Sequence, residues 1–400
     1  DSHAWFNAGV VMRMTDNLDF SYSCFEKSAY ECHASGVPRA LALNNLGDLQ
    51  ARQGKIDKAI DSYTLATEED QNDAQSWYSL ALLYRDNKGD MDNAMKCMQA
   101  CIDLFNSNSN SHCDSGISNS IYSQAQFQLA ALRAQNTVNI DEPKEQEIIT
   151  EAPSAYVSEL FDHYAEHGYE DHMLDTLQYR GHSLVIQGVL DAMDAIDAID
   201  AIDNSNKRNV DNNNMLGPHA ICFDLGCGTG LVGKYWRVSG ALGQILGCDI
   251  SKNMVKISAG QLYQRKNLLG TKEVTCKVYD AVVPFTCEQF LHSAASNSIN
   301  VIFAGDVLCY IGNLQEVMIA ATTALADGGL FAFTVEKDER EFAEDEEKEK
   351  QPDFRLQGSG RFAHHKSYID KMADGAGLDQ VLCREETLRL QGSQEVVGYL

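Results

Sequence analysis

The sequence predicts two units: an array of paired α-helices in the first third of the chain, then an α/β domain built on a parallel sheet. Small and aromatic residues recur at the spacing of helix pairs over residues 1–137. From residue 220 onward, short apolar runs alternate with amphipathic runs, which is the pattern of strands connected by helices. A chain of 400 residues is long enough for two such domains.

The composition narrows the possible functions. The 32 basic and 58 acidic residues give a net charge of −26, which disfavours binding to nucleic acid or to an anionic membrane surface. No apolar run reaches the ~18 residues of a membrane span. The 12 cysteines form no C-x-x-C pair, so we expect reduced thiols and no metal site. The chain begins with Asp1 and shows no signal peptide, so a cytoplasmic location is expected, with a missing targeting segment as the alternative.

The first third contains three related segments. The residues that recur are Trp5, Ala8, Gly9, Phe25 and Ser28, then Leu43, Leu46, Gly47, Ala59, Tyr63 and Ala66, then Trp77, Leu80, Ala81, Tyr84 and Ala94. The second and third segments are 34 residues apart, and this pattern resembles the tetratricopeptide repeat. The resemblance implies a helical array over 1–137 that recruits a protein partner or substrate. An ordinary array of helical hairpins is the alternative.

Three further segments lie outside these patterns. Residues 138–153 are polar and acidic and are predicted to be a linker. Residues 190–217 pass from Asp-Ala-Ile triplets, which could extend a helix, into an Asn-rich run, and we expect a low-complexity surface insertion. Residues 336–351 are highly charged and are predicted to form a solvated loop or helix.

The remaining chain predicts seven strands. Their ranges are 220–225, 244–250, 273–280, 299–306, 328–336, 379–388 and 394–400. Helices are predicted between them over 231–238, 251–265, 284–294, 313–325 and 365–377. The alternation favours a parallel sheet that helices cover on both faces.

A glycine-rich turn follows the first strand, in FDLGCGTGLVG at residues 223–233. Glycines in such a turn let a ligand approach the backbone. A dinucleotide fingerprint requires glycine where Leu231 stands. A phosphate-binding loop requires serine or threonine where Tyr235 stands. The pattern that remains is D-x-G-x-G-x-G, beginning at Asp224.

This pattern resembles motif I of the class I S-adenosylmethionine (SAM)-dependent methyltransferases. The flanks 154–181 and 359–378 resemble a subgroup of predicted methyltransferases that also carry tetratricopeptide repeats. The resemblance implies a Rossmann-like, seven-stranded methyltransferase domain over 154–400, with SAM as the methyl donor and S-adenosylhomocysteine as the product.

The resemblance also implies site residues. Asp249 would accept hydrogen bonds from the ribose hydroxyls, Asp280 would lie beside the adenine amino group, and Asp306 would face the methionine moiety and the acceptor. The full expected cofactor set is Asp224, Gly226, Cys227, Gly228, Gly230, Asp249, Ile250, Asp280, Ala281, Asp306, Tyr164, Tyr179 and Arg180. The candidates for catalysis on the acceptor side are Asp306, Tyr310 and His364.

Structural roles are the alternatives for these side chains. Each aspartate could be a helix cap or a turn residue. Tyr310 could serve packing alone, and His364 could stand at an exposed helix start.

The acceptor is left open. GDVLCY at 305–310 lacks the Asn/Asp-Pro-Pro-aromatic motif of enzymes that methylate planar amides or base amines, which disfavours DNA and glutamine substrates. An oxygen, nitrogen, sulfur or carbon acceptor on a small molecule or a protein remains. One alternative is a repeat scaffold whose SAM-binding domain is catalytically degenerate. Another is an enzyme that binds NAD or a nucleoside diphosphate.

Overall fold

The computed structural model describes residues 2–15, 17–31, 39–108, 116–136, 149–166, 169–202, 213–266, 272–340, 353–391 and 394–400. Its internal contacts divide the chain into two compact units, Asp1–Ile140 and Asp141–Leu400. The predicted boundary between the repeats and the linker, at residues 137–138, lies outside the described residues.

The described part of the first unit is helical. Its helices are α1 (Ser2–Met14), α2 (Leu18–Glu31), α3 (Arg39–Arg52), α4 (Ile56–Glu69), α5 (Ala74–Leu83), α6 (Met91–Asn108) and α7 (Gly116–Asn136). Helices α1 and α2, α3 and α4, and α5 and α6 pack as consecutive pairs, which confirms the predicted helical array.

Each helix pair is held together by a small residue against a complementary side chain. A Cβ atom on Gly9 would lie 2.8 Å from the ring of Phe25, and one on Gly47 would lie 3.0 Å from the ring of Tyr63. The equivalent positions of the third pair are Ala81 and Cys97, both buried in one apolar cluster. In the third pair, the residue on the first helix is larger than glycine and its neighbour on the second helix is smaller than an aromatic residue, as close packing requires.

The second unit mixes helices and strands. The helices are α8 (Ser154–Glu166), α9 (Tyr169–Asp171), α10 (Gly181–Ile202), α11 (Asn213–Leu216), α12 (Leu231–Val238), α13 (Lys252–Ala259), α14 (Cys287–His292), α15 (Gln315–Ala324) and α16 (Lys366–Ala376). The strands are β1 (Ile221–Leu225), β2 (Gln244–Cys248), β3 (Leu262–Lys266), β4 (Glu273–Lys277), β5 (Ala281–Val283), β6 (Ile299–Ala304), β7 (Leu325–Phe333), β8 (Val335–Lys337), β9 (Phe354–Leu356), β10 (Phe362–His364), β11 (Glu385–Gln391) and β12 (Gln394–Tyr399).

The central sheet is parallel, in the order β5-β2-β1-β6-β7. The chain continues from β7 through Thr334 into β8, which belongs to a second sheet of order β11-β12-β8-β10-β9. When β7 and β8 are counted as one interrupted strand, seven strands follow in the order β5-β2-β1-β6-β7/β8-β12-β11. The helical array followed by a mostly parallel sheet confirms the predicted fold class.

The predicted third strand, 273–280, is present in part as a strand, but its predicted place in the parallel sheet is wrong. Residues 273–277 form β4, which pairs with β3 in a separate two-stranded hairpin, and the strand beside β2 is β5. The predicted helix 251–265 likewise ends at Ala259, with Gly260 as its C-cap. All five residues of β3 are exposed or half-exposed, and its last three, Gln264, Arg265 and Lys266, are polar, so its pattern is easily taken for a continuing surface helix.

The structure also revises three surface segments. The last part of the predicted linker packs on the second unit, because the amide of Ala152 donates a hydrogen bond to the carbonyl of Tyr310 at 2.8 Å. Helix α10 runs through the Asp-Ala-Ile triplets as far as Ile202, and the insertion's residues 203–212 lie outside the described part. Glu336 and Asp338 are buried rather than solvated, and residues 341–352 are outside the described part.

Among the described residues, no helix is both long and apolar enough to cross a membrane.

We expect Gly9→Ala to lower the free energy of unfolding of the first unit by about 1–3 kcal/mol, because the added Cβ overlaps the fully buried ring of Phe25. The matched control is Gly375→Ala in α16, where a Cβ would meet nothing within 4 Å. That control should raise stability by up to about 1 kcal/mol through helix propensity. Chemical denaturation followed by circular dichroism measures both, and an unchanged Gly9→Ala variant would contradict the close packing.

Candidate functional site

A cavity opens at the carboxyl ends of the central strands. Its wall is formed by the glycine turn, the residues that follow β2, β5 and β6, and segments from Glu151 to His182. The predicted site residues that line it are Gly226, Cys227, Gly228, Asp249, Ile250, Tyr179, Asp306 and Tyr310. This is the position at which open α/β sheets bind ligands.

The glycine turn is built from left-handed backbone. Gly226, Gly228 and Gly230 have φ angles of 62°, 53° and 99°. Around Gly226 the space is full, since a Cβ there would lie 2.6 Å from Val307. At Gly228 the nearest atom to a Cβ is 3.9 Å away, on the ring of Tyr169. The backbone at Gly228 therefore faces open cavity, whereas Gly230 begins α12 without lining it.

Asp249, just after β2, is fixed by backbone donors. Its Oδ2 accepts from the amide of Gly228 at 2.9 Å, and its Oδ1 accepts from the amide of Ser251 at 2.9 Å. Burial raises the pKa of Asp249 to about 6, although these two hydrogen bonds lower it. The carboxylate oxygens have further lone pairs available at the cavity wall.

Asp224 lies beneath the turn rather than in the cavity. The hydroxyl of Tyr279 donates to its Oδ2 at 2.5 Å and accepts from the amide of Gly233 at 3.1 Å. Burial raises the pKa of Asp224 to about 7, although the bond from Tyr279 lowers it. This arrangement ties the end of β1 to the first turn of α12, so Asp224 shapes the turn.

The expected positions of Asp280 and Ala281 need correction. Asp280 precedes β5, and its Oδ2 accepts from the guanidinium of Arg237 at 3.0 Å and from the amide of Ile245 at 2.8 Å. Ala281 is the first residue of β5, and neither residue lines the cavity. The residues that follow β5 and do line it are Phe285, Thr286, Cys287 and Glu288.

Helix α8 is hydrogen-bonded to the loop that carries Asp249. The Oδ1 of Asp162 accepts from the hydroxyl of Ser251 at 2.5 Å and from the amide of Asn253 at 3.1 Å. Ser251 is also the N-cap of α13, since its hydroxyl accepts from the amide of Met254. Val157 and Phe161 of the same helix line the cavity, so these bonds position that wall.

The cavity wall is strongly aromatic. The ring of Phe161 meets the rings of Tyr169 and Tyr310 edge-on, with centroids 6.1 and 5.6 Å apart. Tyr179 packs against His182, which is only 5% exposed. The Nδ1 atom of His182 has no partner among the described residues. Burial lowers the pKa of His182 to about 4, so the ring is neutral near pH 7.

Asp306 belongs to a buried network of four charges. Arg361 Nη1 lies 2.9 and 3.0 Å from its two carboxylate oxygens, and Arg389 Nη1 lies 3.2 Å from Oδ1. Arg389 Nη2 also donates to Glu336 at 2.5 Å. The backbone at Asp306 is left-handed, with φ 58°, and its amide donates to the hydroxyl of Thr334.

This network makes Asp306 a poor general base, because guanidinium donors occupy its lone pairs. Asp306, Cys309 and Glu336 place potential ligand atoms within 4.8 Å of one another, the spacing of a metal site. Both carboxylates are already paired with arginine, so these residues are better explained as part of the network.

Three further predicted residues lie away from the cavity wall. His364 is fully buried in β10, where Nε2 contacts the carbonyls of Ile311 and Gly312 at 2.9 and 3.1 Å. Its expected place on the acceptor side is therefore wrong, and so is the exposed alternative. Tyr164 is 37% exposed and contacts other aromatic rings. Arg180 is exposed, and its carbonyl accepts from the amide of Leu184 at the start of α10.

Sequence reasoning missed several lining or supporting residues. They are Glu151, Phe161, Tyr169, His182, Thr229, Phe285, Glu336, Arg361 and Arg389. Thr229 stands inside the glycine motif, and its buried hydroxyl has no partner among the described residues, so its position was an available signal. The arginines come from β11 and from just before β10, and nothing in their local sequence connects them to Asp306.

Family models match both parts of the chain. Residues 223–331 match the model described as "Methyltransferase domain". Residues 40–73 and 74–108 each match the model described as "Tetratricopeptide repeat". A search of curated proteins gives no significant match.

Solved structures resemble parts of the chain. PcrH from Pseudomonas aeruginosa is 17% identical, with a TM-score of 0.28, over 33% of this chain and 92% of that one. The Sgt2 tetratricopeptide domain from Aspergillus fumigatus is 14% identical, with a TM-score of 0.27, over 37% and 91%. A Haemonchus contortus phosphoethanolamine N-methyltransferase 2, solved with phosphomonomethylethanolamine and S-adenosylhomocysteine, is 16% identical, with a TM-score of 0.32, over 43% and 37%. By the family models, the chain combines tetratricopeptide repeats with a methyltransferase domain.

Proposed function

We propose that the second unit is a class I SAM-dependent methyltransferase and that the repeats recruit its substrate or a protein partner. The observation that carries this proposal is the glycine turn joined to Asp249. The Gly228 amide is hydrogen-bonded to the carboxylate, and the space above the Gly228 backbone is open. A glycine backbone that a ligand can approach, next to an acid that can accept hydrogen bonds from ribose hydroxyls, suits an adenosyl ligand.

The cavity offers matching groups for each part of the cofactor. Asp249 would accept from the ribose hydroxyls, and Ile250 with Phe285 would hold the adenine ring. The backbone at Gly226 and Gly228 would contact the methionine portion. Thr229, whose buried hydroxyl has no partner among the described residues, lines the same wall.

S-adenosylmethionine supplies a methyl group that is already activated by the positive charge on sulfur. The protein's contribution is therefore alignment and exclusion of water rather than activation of a donor. Phe161, Tyr169 and Tyr310 would shape a dry, electron-rich wall, which favours a neighbouring cation. Asp306 would keep the loop after β6 in position through its arginine pairs.

The repeat unit supports the recruiting role. Tetratricopeptide repeats stack helix pairs and so present an extended surface that can hold a partner chain. We propose that this unit selects a protein substrate or a partner, while methyl transfer takes place in the second unit.

Blocking the turn tests the cofactor site. We expect Gly228→Val to weaken SAM binding at least 100-fold in calorimetry, because the side chain would enter the cavity. Gly89→Val is the matched control, since Gly89 has a similar φ of 63° and open space around it. Both carry the same backbone strain, so equal affinity in the two variants would refute the assignment of the turn.

Two aspartates are distinguished by a second test. We expect Asp249→Ala to weaken SAM binding by about 1–3 kcal/mol, because the ribose hydroxyls lose their acceptor. Asp280→Ala should leave the affinity unchanged, because Asp280 serves Arg237 outside the cavity. Calorimetry on both variants decides, and the reverse ranking would restore the adenine role for Asp280.

The raised pKa of Asp249, about 6, predicts how affinity changes with pH. The ionised carboxylate is the better acceptor, so lowering the pH from 7.5 to 5 protonates it and should weaken binding of S-adenosylhomocysteine. Asp249→Ala should lose this part of the pH dependence. A wild-type affinity that is flat or rises over this interval would contradict hydrogen bonding to the carboxylate.

A further inference from the structure

We infer that the methyl acceptor is an amine nitrogen, an inference that rests on the proposed methyltransferase function. It comes from the charges of the cavity wall, from its aromatic rings and from one unpartnered buried imidazole. Together these features suit a cationic acceptor and disfavour an anionic one.

The charged side chains among the described lining residues are all acidic. They are Glu151, Asp249, Glu288 and Asp306, and neither lysine nor arginine lines the described wall. Asp306 is compensated from behind by Arg361 and Arg389. Once Asp249 is assigned to the ribose, Glu151 and Glu288 remain as uncompensated acids.

Glu151 lies next to the aromatic part of the wall. Its backbone forms a β-bridge with Ile311, and the following amide, of Ala152, donates to the carbonyl of Tyr310. Glu151 is exposed at the cavity wall, and partial loss of its hydration raises its pKa, which the nearby carboxylates of Glu288 and Glu316 raise further. Negative charge is therefore concentrated here, and a cation would relieve it.

The rings beside Glu151 carry no charge of their own. Burial holds the pKa of Tyr310 and Tyr179 well above the usual range, so both phenols stay neutral. Neither phenol has a hydrogen-bond partner among the described residues. The electron-rich face of an aromatic ring stabilises a neighbouring cation, and the guanidinium of Arg361 already lies 5.2 Å from the centroid of the Tyr310 ring.

His182 is the second, independent indication of a ligand. The ring is nine-tenths buried and lines the cavity, and its Nδ1 lacks a partner among the described residues. Because its pKa is lowered to about 4, it presents a neutral polar atom near pH 7 and does not repel a cation. A carboxylate or phosphate acceptor would find no lysine or arginine among the described lining residues, and the neighbouring guanidinium of Arg361 is already paired with Asp306, so its lost hydration would not be fully compensated.

The transfer balances without a further reactant. The bound ammonium first releases one proton to water, the freed lone pair on nitrogen forms the new N–CH3 bond, and the S–CH3 bond breaks with its electron pair remaining on sulfur. For a primary or secondary amine, the product ammonium releases a proton to Glu151 or to water. A strong general base is therefore unnecessary, which agrees with an Asp306 already held by two arginines.

The test uses the full chain saturated with S-adenosylhomocysteine and three probes of similar shape: 2-phenylethylamine, 2-phenylethanol and 3-phenylpropanoate. Calorimetry should give at least 10-fold tighter binding of the amine than of the carboxylate, with the alcohol between them. With SAM in place of S-adenosylhomocysteine, the amine alone should gain a methyl group, seen as a 14 Da increase by mass spectrometry.

Two variants assign the preference to Glu151. Glu151→Gln should reduce the preference for the amine over the alcohol about 3–10-fold and leave S-adenosylhomocysteine affinity unchanged. Glu159→Gln is the matched control, because Glu159 is another acid, on α8, whose pKa is raised by burial but which does not line the cavity. It should keep the full preference.

The outcomes separate the two proposals. Failure to bind S-adenosylhomocysteine would overturn the proposed function, and the acceptor assignment with it. Cofactor binding with equal or tighter binding of the carboxylate would overturn the acceptor assignment alone. The acceptor assignment alone would also be overturned if the protein bound the cofactor but none of the three probes. It would be overturned as well if Glu151→Gln left the preference for the amine unchanged.

Discussion

The second unit depends on the pairing of four buried charges, those of Asp306, Glu336, Arg361 and Arg389. These residues come from the loop after β6, from β8, from just before β10 and from β11, so the network joins both five-stranded sheets. Burial opposes the charge of Arg361, yet the carboxylate of Asp306 holds its pKa above the usual range. Removing one member would leave an uncompensated charge in the interior, which is far more costly than losing a surface pair.

Local sequence is enough to predict the parts of the site that lie on one strand and its following turn. The glycine turn and Asp249 were predictable because a strand, a turn and a helix start are adjacent in the chain. Asp280 was misplaced because the β3–β4 hairpin precedes β5, so the third sheet strand ends at Val283 and the lining residues that follow it begin at Phe285. One extra hairpin thus moved this part of the cavity wall by several residues along the sequence.

Residues brought together from distant segments could not be predicted in this way. His364 follows a local pattern typical of a helix start, but it belongs to a strand whose neighbours bury it against Ile311. Arg389 is 83 residues from Asp306, and its strand looks like any amphipathic edge strand. In the repeats the opposite holds, since Gly9 with Phe25, and Gly47 with Tyr63, are complementary within a single helix pair. The repeat unit was therefore predictable in more detail than the part of the cavity wall around Asp306 and Tyr310.

The bonds of Asp162 have a consequence for how a movement of α8 reaches the cavity. Asp162 holds Ser251, the amide of Ser251 holds Asp249, and Asp249 holds the Gly228 amide, so one chain of hydrogen bonds runs from α8 to the glycine turn. Displacing α8 would leave the Ser251 hydroxyl and the Asn253 amide, at the start of α13, without their acceptor. A movement of α8 would therefore be transmitted through this chain of hydrogen bonds to Asp249 and to the backbone of Gly228.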